Sequence, residues 1–343
     1  MPSSLWLPEP VEPPLLSAPV SVLACGLFTL SYVGGLYLSS STRIGTSNAT
    51  DDQGRPLSKD HPKVIRARLK VACSSTLFTT LATGALLIGK GAVRQEGYLW
   101  RFLCVSRLIG FPLPAPSALS SSLIPTNPPL TAFLSLLVKA ATYPLLLTNV
   151  LYTGPLFVSW LEGGLPFQRN FDLRRDVLDR FSSLFGIRNF ILGPLTEEVV
   201  FRACVLSITF YSGASRSSMI FATPLYFGIA HLHHAWETYA NSGRTREGLQ
   251  RGLLQAALQF TYTCAFGWYA NFLFMRTGTI LAPLLSHSFC NIMGLPNPWQ
   301  ASEWYPERRK AIHCTHVVGI VGFAGLLYRL TEPSLFGSSF YWK

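Results

Sequence analysis

The chain has 343 residues and a formal net charge of +11, yet only 13% of its residues are charged and 49% are hydrophobic. A typical soluble domain carries about twice this share of charged residues, and the apolar content excludes an intrinsically disordered chain. Seven cysteines, none of them in a CxxC pair, exclude a disulfide scaffold. The composition therefore indicates an integral membrane protein.

Eight apolar segments are predicted to cross the membrane, because about 20 apolar residues suffice to span a bilayer as a helix. In chain order they cover residues 19–38, 71–89, 130–160, 190–210, 217–234, 252–275, 279–295 and 314–328. The chain contains no internal repeat. We therefore predict an all-α fold, a polytopic transmembrane helical bundle of about eight spans that forms a single membrane domain over residues 1–343.

The basic residues lie between these apolar segments rather than in a stripe with interleaved aromatic residues, so nucleic-acid binding is excluded as a function class. If the N-terminus is lumenal, loops 39–70, 162–188, 236–251 and 299–313 contain 18 of the 28 Lys and Arg residues. Cytoplasmic loops carry an excess of Lys and Arg. We therefore predict that these four loops face the cytosol.

Glu197, Glu198 and Arg202 form the first ionisable group inside a predicted span. Such residues are costly in a membrane and are functional candidates. Glu198 and Arg202 are four residues apart, so a helix places them on one face as an ion pair. Glu197 lies about 100° further round the helix axis, away from that cation, where a carboxylate suits a general base. A structural ion cluster between helices is the alternative interpretation.

A second group follows in the segment 224–237, where Phe227 and His231 are four residues apart on one helix face. Several histidines close together favour a site over a single hydrogen-bonded core histidine. His233 and Glu237 also have the spacing of common metal ligands. However, the sequence has no HExxH motif and no zinc-ligand spacing, so we predict that no metal is bound here.

His287 and Asn291 form a third group, again four residues apart in an apolar segment. A His/Asn pair of hydrogen-bond donors suits an oxyanion hole, although for this pair in isolation an interhelical polar clamp is the favoured interpretation. A thiol mechanism through Cys290 and a nearby histidine is a further alternative.

Together the three groups supply a base, a second proton-handling group and an oxyanion clamp, a set sufficient for amide hydrolysis by activated water. The alternatives are an ion-coupled transporter, in which the buried charges form an ion path, and a non-catalytic membrane scaffold.

The three motifs, EExxxR, FxxxH and HxxxN in this order, resemble those of the CAAX prenyl protease family of intramembrane glutamate proteases. The strings TEEVVFRACVL, FGIAHLHHAWE and SHSFCNIMGLP carry the resemblance, which is specific over residues 187–298, the predicted catalytic core. The resemblance implies a multi-pass endopeptidase of the endoplasmic reticulum membrane with its active site toward the cytosol. Its partners would be the lipid bilayer and proteins with a prenylated C-terminal C-a-a-X cysteine, from which it releases the last three residues.

The resemblance also implies a role for each motif residue. Glu197 would activate water with help from His231, His287 and Asn291 would hold the oxyanion, and Glu198 with Arg202 would support them. Members of the family have been treated both as metal-dependent and as metal-free. Because a standard ligand set is missing from the sequence, we predict metal-free chemistry without a cofactor.

Overall fold

The computed structural model describes residues 11–38, 42, 58–94, 97–113, 128–231, 233–337 and 339–342. These residues form helices and turns without any β-strand, which confirms the predicted all-α class. The α-helices in chain order are α1 (Ala18–Leu38), α2 (Pro62–Gly89), α3 (Tyr98–Leu108), α4 (Pro128–Leu151), α5 (Thr153–Leu161), α6 (Asp179–Ser182), α7 (Leu184–Gly186), α8 (Gly193–Glu198), α9 (Ser207–Tyr211), α10 (Arg216–Phe221), α11 (Pro224–Ala230), α12 (His233–Asn241), α13 (Arg246–Thr277), α14 (Leu281–Met293), α15 (Pro298–Trp304) and α16 (Arg309–Leu330). Turns of π-helix cover Arg174–Leu178, Ile187–Leu192 and Val199–Leu206, and 3₁₀ turns cover Pro306–Arg308, Pro333–Phe336 and Phe340–Trp342.

Four helices of the described chain are long and apolar enough to cross a membrane. They are Ala18–Leu38, Pro62–Gly89, Leu130–Leu151 and the continuous helix Pro306–Leu330. Large apolar side chains on their outer faces are exposed, as expected of surfaces that contact lipid. The protein is therefore a membrane protein, and the count of about eight spans stays a prediction.

The helices at the centre of the bundle are shorter and broken. The predicted span 217–234 is divided into α10 and α11, because Pro224 has no N–H to continue the preceding helix. The segment 279–295 contains only α14, whose 13 residues extend about 20 Å. The segment 190–210 alternates between α- and π-helix, a winding that is frequent at functional sites. Short or interrupted helices thus carry all three polar motifs.

Two glycines bring the long helix α13 close to these central helices. A Cβ atom on Gly228 of α11 would come within 2.5 Å of Sγ of Cys264, and one on Gly267 of α13 would come within 2.6 Å of Cβ of Pro224. Small residues allow such close approach of helix backbones in membranes. The π-helical turn Val199–Leu206 is buried along its whole length, so the core of the bundle surrounds the helix that carries the first motif.

Candidate active site

The three polar groups predicted from the sequence converge within the bundle. Helix α8 carries Glu197 and Glu198, His231 follows α11 directly, and α14 carries His287 and Asn291. Two cavities meet here: the first has a volume of about 300 Å³ and the second about 560 Å³. Glu197, His231 and Asn291 line both cavities, whereas His287 lines the second. Volumes of this size are typical of ligand sites.

Glu198 is fully buried and connects two other buried groups. Its Oε1 lies 3.1 Å from Nη1 of Arg202, which confirms the ion pair predicted from the spacing. The same oxygen accepts a 2.7 Å hydrogen bond from Nδ1 of His287. Because an ionised carboxylate can only accept, Nδ1 of His287 carries a proton, and its Nε2 points the other way. Glu198 thus orients the histidine.

Arg202 is held mainly by aromatic rings. Its guanidinium carbon lies 4.6 Å from the ring centre of Phe227 and 5.7 Å from that of Phe266. Within the described part of the chain, none of its three guanidinium nitrogens makes a hydrogen bond. Cation–π contacts are strongest where water is excluded. The two rings and Glu198 therefore compensate for the buried charge.

Glu197 has different surroundings from its neighbour in sequence. Its side chain is 22% exposed, against 0% for Glu198, and it faces both cavities. Oε2 of Glu197 lies 3.6 Å from Nε2 of His287, so this imidazole stands between the two carboxylates. A carboxylate that opens onto a cavity can bind water and exchange a proton with it.

His231 is positioned by the residue one helical turn before it. Its Nδ1 donates a 2.8 Å hydrogen bond to the carbonyl oxygen of Phe227, and the two rings pack edge to face with centres 4.7 Å apart. Because Nδ1 carries the proton, Nε2 of a neutral His231 is an acceptor. The i,i+4 relation of Phe227 and His231 predicted from the sequence is therefore confirmed as a contact.

Asn291 lies one helical turn after His287, and both line the second cavity, so the predicted common face is confirmed. Nδ2 of Asn291 donates a 2.9 Å hydrogen bond to the carbonyl oxygen of Asn189. This nitrogen carries a second hydrogen. The amide is thus fixed in place and retains one donor for another acceptor.

The carboxylate of Glu237, the suggested metal ligand, is engaged elsewhere. Its Oε1 forms a 2.6 Å ion pair with Nη2 of Arg68, and both side chains are largely buried. The side chains of His233 and His234 lie outside the described residues. In the described part of the chain, no three His, Cys, Asp or Glu residues are grouped as ligands of a metal.

The linings of the two cavities differ in chemistry. The first lies against α1, α2 and α8, and three cations line it together with Glu197: Lys59, Arg68 and Arg188. No Lys or Arg is among the described residues that line the second cavity, whose wall is largely aromatic and also includes the polar Gln259 and Thr263; its large side chains are Tyr152, Phe227, Tyr262, Phe266 and Leu295. Cys290, the alternative nucleophile, also lines the second cavity.

Aromatic residues near the site were missed by the sequence analysis. The ring of Phe266 lies 4.7 Å from that of His287. Oη of Tyr32 shares a 2.8 Å hydrogen bond with Oγ1 of Thr196, the residue before Glu197. Because aromatic residues make up 13% of the chain, nothing in their local sequence distinguishes these from lipid-facing ones.

Comparison with known proteins places this geometry in context. Residues 179–293 match the family described as Type II CAAX prenyl endopeptidase Rce1-like. CAAX prenyl protease 2 of Homo sapiens is 34% identical over 340 residues, which cover 93% of this chain and 83% of the human protein. The protein of the same name in Arabidopsis thaliana is 37% identical over 59% of this chain and 66% of its own length. Probable CAAX prenyl protease 2 of Schizosaccharomyces pombe is 33% identical over 78% of this chain and 79% of its own length. No solved structure matches the chain.

Proposed function

The chain belongs to the type II CAAX prenyl endopeptidase family and is a CAAX endopeptidase, and from this premise we propose how it acts. It removes the C-terminal tripeptide of prenylated C-a-a-X proteins with a water molecule activated by Glu197 and His231. The main support is that Glu197, His231 and Asn291 stand where two chemically different cavities meet. We assign the catalytic core to residues 187–298.

The two cavities suit the two parts of such a substrate. The apolar, aromatic wall of the second cavity fits a prenyl chain, whose burial contributes about 0.8 kcal/mol per CH₂. The first cavity, with cations and apolar side chains such as Leu36 and Leu69, fits the peptide that follows the modified cysteine. A substrate bound across both would carry its scissile carbonyl past Glu197, at their junction.

Glu197 is the general base in this mechanism. Its carboxylate takes a proton from water while the water oxygen attacks the carbonyl carbon of the prenylated cysteine. Nε2 of His231 accepts a hydrogen bond from the other O–H group of that water, because its Nδ1–H is bound to the carbonyl of Phe227. The two side chains thus orient the nucleophile from the cavity wall.

The tetrahedral oxyanion is stabilised by His287 and Asn291. Asn291 has one N–H beyond its bond to Asn189. His287 donates to Glu198 through Nδ1, so it donates to an oxyanion from Nε2 only when it carries both protons. Oε1 of Glu198 lies 2.7 Å from Nδ1 of His287, and Oε2 of Glu197 lies 3.6 Å from its Nε2. Glu198 and Arg202 are therefore positioning residues.

Collapse of the intermediate breaks the C–N bond. The protonated Glu197 returns its proton to the departing nitrogen, which leaves as the amino group of the free tripeptide. The prenylated cysteine keeps the new carboxyl group, which releases its remaining proton to water to give the carboxylate, and the free amino group takes up a proton from water. No covalent bond to the enzyme forms, and Cys290 has no role in this sequence of steps.

We place the enzyme in the endoplasmic reticulum membrane with the junction of the cavities toward the cytosol. Support comes from the basic residues of loops 39–70 and 162–188, which are predicted to be cytosolic. Lys59 and Arg188 from these loops line the first cavity. A prenyl chain can then enter laterally from the bilayer while its peptide enters from the cytosol.

The alternatives of an ion-coupled transporter and of a non-catalytic scaffold are not favoured by the family membership. A hydrolytic assay separates all three. The purified protein in liposomes should cleave a farnesylated C-a-a-X peptide and leave its unprenylated counterpart nearly intact. Mass spectrometry should identify a peptide ending in farnesylcysteine and a free tripeptide.

Three controls test the mechanism. Glu197→Gln protein should give no product, whereas Cys290→Ala protein and chelator-treated protein should keep their activity. Equal cleavage of the unprenylated peptide, or a cut at another bond, would contradict the proposed substrate. Loss of activity in Cys290→Ala protein that still folds would favour the thiol mechanism instead.

A further inference from the structure

The three cations that line the first cavity differ in the hydrogen bonds and ion pairs that they already make. Arg68 donates from Nη2 to buried Glu237 and from Nε to the carbonyl oxygen of Thr42. The ammonium group of Lys59 is exposed, and no ion pair engages it within the described residues. Arg188 lies between these two cases. Among the described residues, the cavity therefore offers one cation without an ion pair, Lys59, next to Arg188, whose charge is shared with the half-exposed Asp60.

Arg188 is held in place by three hydrogen bonds, one of which belongs to an ion pair with Asp60. Its Nε donates to Oδ1 of Asn189, its Nη1 to the carbonyl oxygen of Lys59, and its Nη2 to Oδ1 of Asp60. The guanidinium also stacks on Phe185 at 4.9 Å. Arginine has five N–H donors. One hydrogen on each terminal nitrogen thus remains available, and two such donors match the two oxygens of a carboxylate.

Arg188 and Glu197 line the same cavity from two successive segments of the chain. Arg188 belongs to the π-helical turn Ile187–Leu192 and Glu197 to α8, nine positions later. The cavity has a volume of about 300 Å³. Three residues in extended conformation span about 10 Å. A peptide of this length that begins beside Glu197 can therefore lie in the first cavity with its C-terminus toward the cations.

We propose that Arg188 and Lys59 bind the C-terminal α-carboxylate of the tripeptide. Binding of this carboxylate in the first cavity places the bond that is cut three residues from the chain end. This inference rests on the proposed function and adds its specificity determinant. It explains why an enzyme with endopeptidase chemistry would cut at one fixed distance from the chain end. Asp60 and Asn189 are positioning residues for the guanidinium.

The test compares two farnesylated peptides that differ only in a C-terminal carboxylate or carboxamide. Wild-type protein should prefer the acid by about 10- to 100-fold in kcat/KM, the range that a charge-assisted hydrogen bond supplies. The preference should lie mainly in KM, because the contact is distant from the reacting atoms. A peptide extended by one residue should lose a similar factor.

Variants of the two cations should remove this discrimination. Lys59→Ala should reduce the acid preference, and Lys59→Ala with Arg188→Ala should reduce it to within about threefold, with little change for the amide. Arg188→Lys should restore part of it. Lys63→Ala is the matched control, because Lys63 is an exposed lysine nearby that does not line the cavity. It should keep the wild-type preference.

Lys59→Ala also protects the test against misfolding, since the Lys59 side chain makes none of the contacts that hold Arg188. Equal cleavage of acid and amide by wild-type protein would overturn the carboxylate site and leave the proposed function standing. An equal loss for both peptides in the variants would show a purely structural or lipid-binding role for the cations. Failure of wild-type protein to cleave the farnesylated acid at all would instead overturn the proposed function.

Discussion

Arg202 and Arg276 are both buried cations packed among aromatic rings, but they differ in the hydrogen bonds and ion pairs that compensate for their charge. Arg276 is well hydrogen-bonded: its guanidinium uses three of its five N–H groups, to Thr331, to the carbonyl oxygen of Tyr328 and to Glu332. We call this group of contacts the Arg276 clamp. Three aromatic rings also lie within 6 Å of it. The Arg202 cluster has one ion pair and two rings, and its described neighbours accept no hydrogen bond from the guanidinium.

This difference separates a structural clamp from a functional arrangement. Buried polar groups in native proteins are almost always hydrogen-bonded, and exceptions call for an explanation. At Arg276 the contacts tie the C-terminal segment to α13. At Arg202 the charge fixes Glu198, which in turn orients His287 beside Glu197. We therefore expect substitutions in the clamp to change stability and substitutions around Arg202 to change catalysis as well.

The largest effect is expected from Glu197→Gln. Loss of a general base lowers rates by about 10²- to 10⁴-fold, and the amide cannot take up the proton from water. Activity against the farnesylated peptide should fall by at least about 1,000-fold while the thermal unfolding midpoint in detergent stays unchanged. Glu332→Gln in the clamp is the control and should keep activity within about twofold. Substantial turnover by Glu197→Gln would assign the base to another group.

Next in size is the contrast between Arg202→Met and Arg276→Met. Removal of Arg202 leaves the buried Glu198 without its cation, which costs about 3–5 kcal/mol of unfolding free energy. Removal of Arg276 forfeits hydrogen bonds worth about 1–3 kcal/mol, because its acidic partner Glu332 is 55% exposed. Denaturant unfolding and activity per folded molecule should be measured together.

Only Arg202→Met should lower activity per folded molecule, since only this cation reaches the site. If that variant keeps wild-type activity per folded molecule, the role of Arg202 is purely structural, like that of Arg276. Conversely, a catalytic defect in Arg276→Met would show that the two regions are coupled.

The sequence predicted the contacts within one helix and not those between helices. The i,i+4 spacing gave the pair Glu198–Arg202 and the pair Phe227–His231, because helix geometry fixes neighbours four residues apart. The bond from His287 to Glu198 joins residues 89 positions apart, and tertiary packing alone determines it. For the same reason the histidine was predicted as an oxyanion donor without its orienting carboxylate.

The fold shows the same limit. Hydropathy predicted the all-α class and eight spans, four of which correspond to the long apolar helices, but it treated 217–234 as one span. The break at Pro224 follows from backbone chemistry that an average over apolar residues does not register. The π-helical turns have no distinct sequence pattern.

A smaller effect is expected from Phe227→Leu, compared with Phe272→Leu in the clamp. Each removes a buried ring that stacks on an arginine, at 4.6 Å from Arg202 and 5.7 Å from Arg276. The cation–π contact contributes about 0.5–2 kcal/mol, so both variants should unfold at slightly lower denaturant concentration. Phe227 also packs on His231. Only Phe227→Leu should lower kcat, by roughly 10-fold, since small misplacements near a reacting centre are expensive.

The smallest effect is expected from an ion pair in water, Arg175–Asp176, which gives the lower limit of this comparison. The hydrogen bond from Arg175 lowers the pKa of Asp176 from 3.8 to about 2. A carboxyl group with a depressed pKa stabilises the folded loop above its ordinary pKa, and this contribution is lost as the pH falls from about 4 through about 2. Limited pepsin digestion at each pH should compare the two proteins, which cancels the pH dependence of pepsin itself. Wild-type protein should be cut around residues 170–178 more slowly than Asp176→Asn protein at pH 4, and the two should be cut at similar rates at pH 2. Because the pair is exposed, the variant should keep full activity at neutral pH. A catalytic defect there would mean that the loop, and not only the buried cations, positions the site.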